Sequence, residues 1–150
     1  MVTLPDAGFT TKKITLILVH KELGMWVLAL SGLRIIWRLI SITPFPLPTT
    51  PPWQHFAATL THGLLYFLII ALPLSGWLMS SAGGFPVFFL SHLLPDIMPI
   101  NTDLFLKYRI AHKLMGYLLI LVLSGHIGAA LVHHFIEKDN TLRRMWFFCR

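Results

Sequence analysis

The stretch from Ile110 to Ile136 reads IAHKLMGYLLILVLSGHIGAALVHHFI. Lys113 is its only Lys, Arg, Asp or Glu. A bilayer core of about 30 Å is crossed by about 20 apolar residues in α-helix, so this stretch is long enough to span a membrane. A helix also satisfies every backbone polar group within one segment, which lipid requires. Four histidines nevertheless interrupt the run: His112, His126, His133 and His134. Ionisable side chains at membrane depth are costly and are functional candidates by default.

Two similar stretches lie upstream, Ile14 to Ile40 and Phe56 to Met79. Helix breakers separate the three. Thr43 to Pro52 holds five prolines in ten residues, which cannot be helix. Ser80 to Leu106 holds Gly83-Gly84, three prolines and two aspartates. That connection is long for a bundle loop and is expected to cover the edge of a bound group. Pro73 should kink the second span, which neighbouring helices tolerate in a membrane. Trp37, Trp53, Trp77 and Trp146 fall near span ends, as interfacial aromatics do. The expectation is an all-α transmembrane helical bundle with three visible spans, about 14–40, 56–79 and 110–136, in a single membrane-embedded domain covering 1–150.

Composition agrees. Of 150 residues, 55% are apolar and 12% charged, with a net charge of +6. A soluble domain of this size needs more charge to cover its surface. The basic residues stand singly or in pairs at the ends of apolar runs, without a basic stripe, so nucleic acid is excluded as a partner. Six Lys and Arg fall on each side of a three-span chain, so the positive-inside rule does not set its orientation. The single cysteine, Cys149, excludes an internal disulfide and thioether attachment of a cofactor. Met1 to Thr11 lacks a basic region followed by an apolar one and is not a signal peptide.

The chemistry lies in a repeat. The first span contains His20-Lys21-Glu22-Leu23-Gly24 and the third opens with His112-Lys113-Leu114-Met115-Gly116. Both read His-Lys-x-x-Gly. With one span between them, the two helices run in the same direction, and His20 and His112 share one depth. Glycine four residues on lies on the histidine's face and lets a flat macrocycle approach the backbone. Neutral imidazole is a normal haem ligand. His20 and His112 are therefore read as an axial pair for haem b. Gly24 and Gly116 flank it, and Lys21 and Lys113 are placed to meet haem propionates. Interfacial histidines bonded to water or lipid are the blander alternative, which leaves the glycines unexplained.

His126 follows His112 by fourteen residues, nearly four turns and about 21 Å along one helix face. Small neighbours surround it: Gly125, Gly128, Ala129 and Ala130. It reads as a ligand to a second haem, against the alternative of a core histidine bonded to a neighbouring helix. His62 lies at similar depth on the second span, but Tyr66 one turn on would crowd a macrocycle. A quinone pocket or a propionate contact are the other roles open to His62. Arg34 and Arg38, one turn apart, either snorkel to headgroups or bind propionates or a quinone headgroup. His133 and His134 read as interfacial, and His55 and His92 as loop residues.

These residues resemble a family. The ordered set His20 to Gly24, Arg34-Ile-Ile-Trp-Arg38, Thr61-His62-Gly63, Ala71-Leu-Pro-Leu-Ser-Gly-Trp77, Ser80 to Gly84, His112-Lys113 and Gly125-His126 through Arg144 is similar to bacterial cytochrome b561, related to the b-type subunits of nickel-iron hydrogenases. The resemblance implies a four-helix, two-haem protein of the bacterial inner membrane, with both termini cytoplasmic. It implies an electron carrier of a respiratory chain exchanging electrons with quinone, with superoxide:ubiquinone oxidoreductase activity within its range. By resemblance, His20 and His112 ligate the periplasmic-side haem. His126 ligates the cytoplasmic-side haem with a histidine on the family's first helix. That helix is absent ahead of Met1, so a second haem is expected only with the missing helix or with His62 in its place.

Quinone, membrane lipid, a redox partner subunit and a second copy of the chain are the partners this reading leaves open. The rival within redox chemistry is a cytochrome b membrane-anchor subunit of a hydrogenase or dehydrogenase. The rival from another class is a histidine-based metal-ion transporter, disfavoured because the spans contain almost no carboxylate.

Overall fold

A computed structural model describes residues 11–41 and 52–136. The proline-rich connection 42–51, the segment before Thr11 and the C-terminal stretch with Trp146 and Cys149 lie outside the described residues. Three helices carry the chain: α1 Thr11–Ile40, α2 Pro52–Ala82 and α3 Thr102–Phe135. Between α2 and α3 lies a two-stranded antiparallel hairpin, β1 Phe88–Phe89 and β2 His92–Leu93. All three helices are long and apolar enough to cross a membrane.

Their surfaces agree with lipid as the solvent. Leu16 is 69% exposed, Ile120 63% and Leu121 70%, and α3 contains no buried residue. Water would penalise such a surface by about 25 cal/mol per Å² of apolar area. Lipid tails do not. Pro52 opens α2 at the position where a missing N–H costs nothing, and α2 runs on through Pro73.

Of the described residues, 11–41 with Ile69–Lys113 make one compact unit and 52–68 with 114–136 make another. Both α2 and α3 contribute to each. In the first unit the buried residues are small or flexible: Ser31, Ser75, Ser80, Ser81 and Ala82, with Met25 and Val87. Small residues let membrane helices approach closely, and their hydroxyls find partners on neighbours. Leu68 is fully buried in the second unit.

The α2–α3 connection is shorter than the composition suggests, because α3 begins at Thr102 rather than Ile110. Asn101 caps it: its Oδ1 accepts the Leu104 N–H at 3.0 Å, satisfying one of the first-turn donors. Asp103 adds a favourable charge in that turn. The polar residues Lys107 to Arg109 thus extend an already capped helix beyond the apolar run.

Where α2 ends, Phe85 N–H donates to Ser80 O at 2.9 Å and Gly84 N–H to Ser81 O at 3.1 Å. This is a Schellman cap, which needs a left-handed residue, and Gly84 supplies it at φ +69°. Gly83 is required for a different reason. A Cβ there would lie 2.7 Å from the Phe85 ring and 2.9 Å from Phe105. The hairpin turns through Leu90 (φ 51°) and Ser91 (φ 65°), the two positive values that match the twist of a two-residue turn.

Candidate haem site

The first unit brings His20 of α1 and His112 of α3 together, with ring centroids 6.0 Å apart and planes at 87°. They line a cleft of about 310 Å³ with Gly24, Met25, Pro73 and Gly76. That volume is at the lower end of the range for ligand pockets, about 300–1,000 Å³. Gly24 therefore shares the surface of its own repeat's histidine, and a Cβ on it would meet only Pro73, at 4.0 Å. Gly116 belongs to the second unit, where a Cβ would meet nothing within 4 Å.

His112 is held from one side. Its Nδ1 lies 3.1 Å from Leu72 O and 2.9 Å from Ser75 Oγ. Ser75 Oγ donates its single proton to Leu72 O at 2.6 Å, so at Nδ1 the hydroxyl can only accept. A carbonyl can also only accept. The proton on this ring therefore sits on Nδ1, and Nε2 carries the lone pair. A ligating histidine requires this arrangement, with the far nitrogen bonded and the near one available. The backbone of α2 closes against the same ring: a Cβ on Gly76 would lie 3.1 Å from His112 Cε1. His20 makes no hydrogen bond to a described residue, so its constraint is the helix that carries it.

Lys21 is half-buried and donates through Nζ to Pro86 O at 3.1 Å, with the Phe85 ring centroid 5.7 Å away. In this arrangement it anchors the α2–α3 connection to α1. Trp26 stacks edge-on against Phe89 at 5.1 Å. The Trp77 indole N–H donates to Pro95 O at 3.2 Å, and Ile97 N–H to Ser81 Oγ at 3.3 Å. The connection is thus pinned at four places along its length, and Val87 lines the cleft. Lys113 is exposed beside His112, and Arg34 and Arg38 are exposed on the last turns of α1.

In the second unit His62 of α2 faces His126 of α3, with ring centroids 5.3 Å apart and planes at 71°. Nothing lies within 4 Å of a Cβ placed on Gly63, Gly125 or Gly128. His133 and His134 lie in the last turn of α3, and His55 in the first turns of α2. His92 lies in β2. Among the described residues no group of three or more His, Cys, Asp or Glu gathers as a bound metal ion would need. The histidines stand in pairs, and pairs suit an iron already held by four macrocycle nitrogens.

The residues present therefore fit haem b at the first pair: two facing imidazoles, one with Nε2 freed by its own hydrogen bonds, in a cleft bordered by glycines. Sequence reading missed Ser75, Leu72 and Gly76. Their only signal was the resemblance of the segment Leu72-Pro-Leu-Ser-Gly-Trp77, which did not say what they touch.

Residues 2–148 match the family model described as prokaryotic cytochrome b561. The chain is similar to cytochrome b561 homolog 2 of Escherichia coli K12, 34% identical over 130 residues that cover 85% of this chain and 68% of that protein. It is similar to cytochrome b561 homolog 1 of the same organism, 33% identical over 126 residues, 84% of this chain and 72% of that one. The probable superoxide oxidase CybB of Yersinia pestis is 32% identical over 128 residues, 85% of this chain and 73% of that protein.

Proposed function

The chain belongs to the prokaryotic cytochrome b561 family, and we propose that within it this protein carries electrons to quinone through a haem b held between His20 and His112. Family and spans make it a multi-pass protein of the bacterial inner membrane. The observation that carries the proposal is the pairing of His20 with a His112 whose Nδ1 is already committed to Leu72 O and Ser75 Oγ.

When bound, haem b supplies a ferric–ferrous one-electron couple. The protein's part is to bind, orient and exclude. His112 would ligate through Nε2, with the Gly76 backbone close against its ring. His20 would ligate from α1, and Gly24 leaves the cleft open beside it. Val87, next to the Pro86 that Lys21 holds, is buried and keeps water from one side of the cleft. With both histidines as its ligands, the haem would supply outer-sphere electron transfer rather than oxygen activation.

The second pair, His62 and His126, is expected to hold a second haem less firmly than the first, because the space beside Gly63, Gly125 and Gly128 is open. The similarity to a probable superoxide oxidase supports a finer reading of the electron source. Two superoxide anions each give up one electron and leave as dioxygen. One quinone takes both electrons and two protons and becomes quinol.

Two assays on purified protein in lipid test this. Quinol should reduce the haem and quinone should reoxidise it. A haem that equilibrates with neither contradicts the carrier role. Superoxide should yield one quinol per two superoxide consumed beyond the spontaneous dismutation background. Haem reduction by quinol without any superoxide-dependent quinol formation would remove superoxide as the donor and leave the carrier.

A further inference from the structure

The two groups around His112 Nδ1 do more than hold a ring in place. We propose that Ser75 is a positioning residue that, beside Leu72 O, accepts from His112 Nδ1–H and, through that ring, lowers the reduction potential of the haem in the first unit. The proposal rests on His112 being a haem ligand.

The donor count fixes the arrangement. Three polar atoms meet: Leu72 O, Ser75 Oγ and His112 Nδ1, at 2.6, 2.9 and 3.1 Å. Two protons are needed to satisfy three such contacts, one on Oγ and one on Nδ1. Were Nδ1 bare, Ser75 could satisfy it only by releasing Leu72 O. Leu72 O and Nδ1 would then face one another as two acceptors. With Nδ1 protonated, every contact has a donor, and the N–H is shared between a carbonyl and a hydroxyl. Ser75 is 5% exposed, so water does not compete, and in a low-dielectric setting such a network is electrostatically strong.

Two consequences follow for the iron ligand. An imidazole whose far N–H is drawn toward two acceptors is a more basic ligand. More electron density on the near nitrogen stabilises ferric over ferrous iron, so the potential falls. His20 makes no such hydrogen bond to a described residue. The two axial ligands of one haem are therefore unequal, and the asymmetry originates on α2, which contributes no ligand to this haem. Gly76 completes the device. Its missing side chain lets the α2 backbone approach close enough for Leu72 O and Ser75 Oγ to reach the ring, with His112 Cε1 at 3.1 Å from where a Cβ would be.

The test is redox titration of the haem-loaded protein, with electron paramagnetic resonance of the ferric low-spin signal. Ser75→Ala should shift the ferrous-to-ferric ratio at fixed potential about tenfold, the lower end of what removing a ligating histidine's outer partner costs. For one electron that is a rise of about 59 mV. The resonance of the His20/His112 haem should move with it, and Ser75→Thr, which restores the hydroxyl, should return both toward the parent values. If Ser75→Ala instead loses the haem, Ser75→Thr must regain it at the parent potential, and a failure to do so overturns the proposal. An unchanged potential and resonance in a loaded Ser75→Ala protein also overturns it. His112→Ala is the separating control: loss of the haem there keeps the ligand assignment even if Ser75 proves inert, whereas an intact haem defeats the assignment itself.

Discussion

The two histidine pairs use the same chemistry in opposite surroundings. Ring centroids lie 6.0 Å apart at His20/His112 and 5.3 Å apart at His62/His126. At the first pair an N–H is fixed by two acceptors, a glycine backs the ring, and a pinned connection borders the cleft. Around the second, the glycines Gly63, Gly125 and Gly128 face open space. The nearby face of α2, from Phe56 to Phe67, is an apolar groove. Two histidines at ligand spacing do not by themselves make equal sites. The groups that orient them decide how firmly a metal centre is held.

The comparison breaks most visibly at the glycines. Gly76→Leu should drive the α2 backbone or the His112 ring aside and lower haem content at least severalfold, whereas Gly63→Leu should leave the His20/His112 haem unchanged. Haem-to-protein ratios of membrane-inserted variants read this directly, and equal losses in both would erase the distinction drawn here. Gly24→Leu should also lower occupancy, by filling the cleft rather than by moving a ligand.

A smaller effect is expected from His62→Ala. Haem content should drop by only a minor fraction, because open space beside Gly63, Gly125 and Gly128 leaves the second pair without the closed cleft of the first. A loss of half the bound haem would show that His62 and His126 form a site of equal rank.

Smallest of all is the backbone effect at the caps. Gly84→Ala places a Cβ in the left-handed region and should cost about 1–2 kcal/mol, lowering the thermal midpoint by a few degrees. Gly125→Ala, mid-helix and with open space around it, should be neutral or stabilising by up to about 1 kcal/mol. The opposite ranking in thermal unfolding would contradict the cap geometry.

The sequence made the spans and the first pair legible for specific reasons. Apolar runs bounded by proline and glycine mark membrane helices, and the repeated His-Lys-x-x-Gly puts two histidines at one depth on parallel helices. The start of α3 was less legible, because Lys107 to Arg109 interrupt apolarity without interrupting the helix, and Asn101 sets the true boundary. The hairpin was hidden as well: its turn uses Leu90 and Ser91 at positive φ, where Asn-Gly or Asp-Gly would have announced it. Ser75 and Gly76 acquire a role only once α2 lies against His112, and nothing in their own spacing reports that neighbour. Lys21, read as a propionate contact, reaches Pro86 O, a partner sixty-five residues away that local sequence could not supply.

The central claim is that His20 and His112 share one haem. Pyridine haemochrome stoichiometry on the purified chain, on His20→Ala, on His112→Ala and on the double variant tests it most directly. The account predicts close to one haem b per polypeptide in the parent, and near-complete loss in each single variant. The double variant should lose no more than either single one, because a shared site can be lost only once. Retention of a low-spin haem b at parental level in either single variant would contradict the pairing.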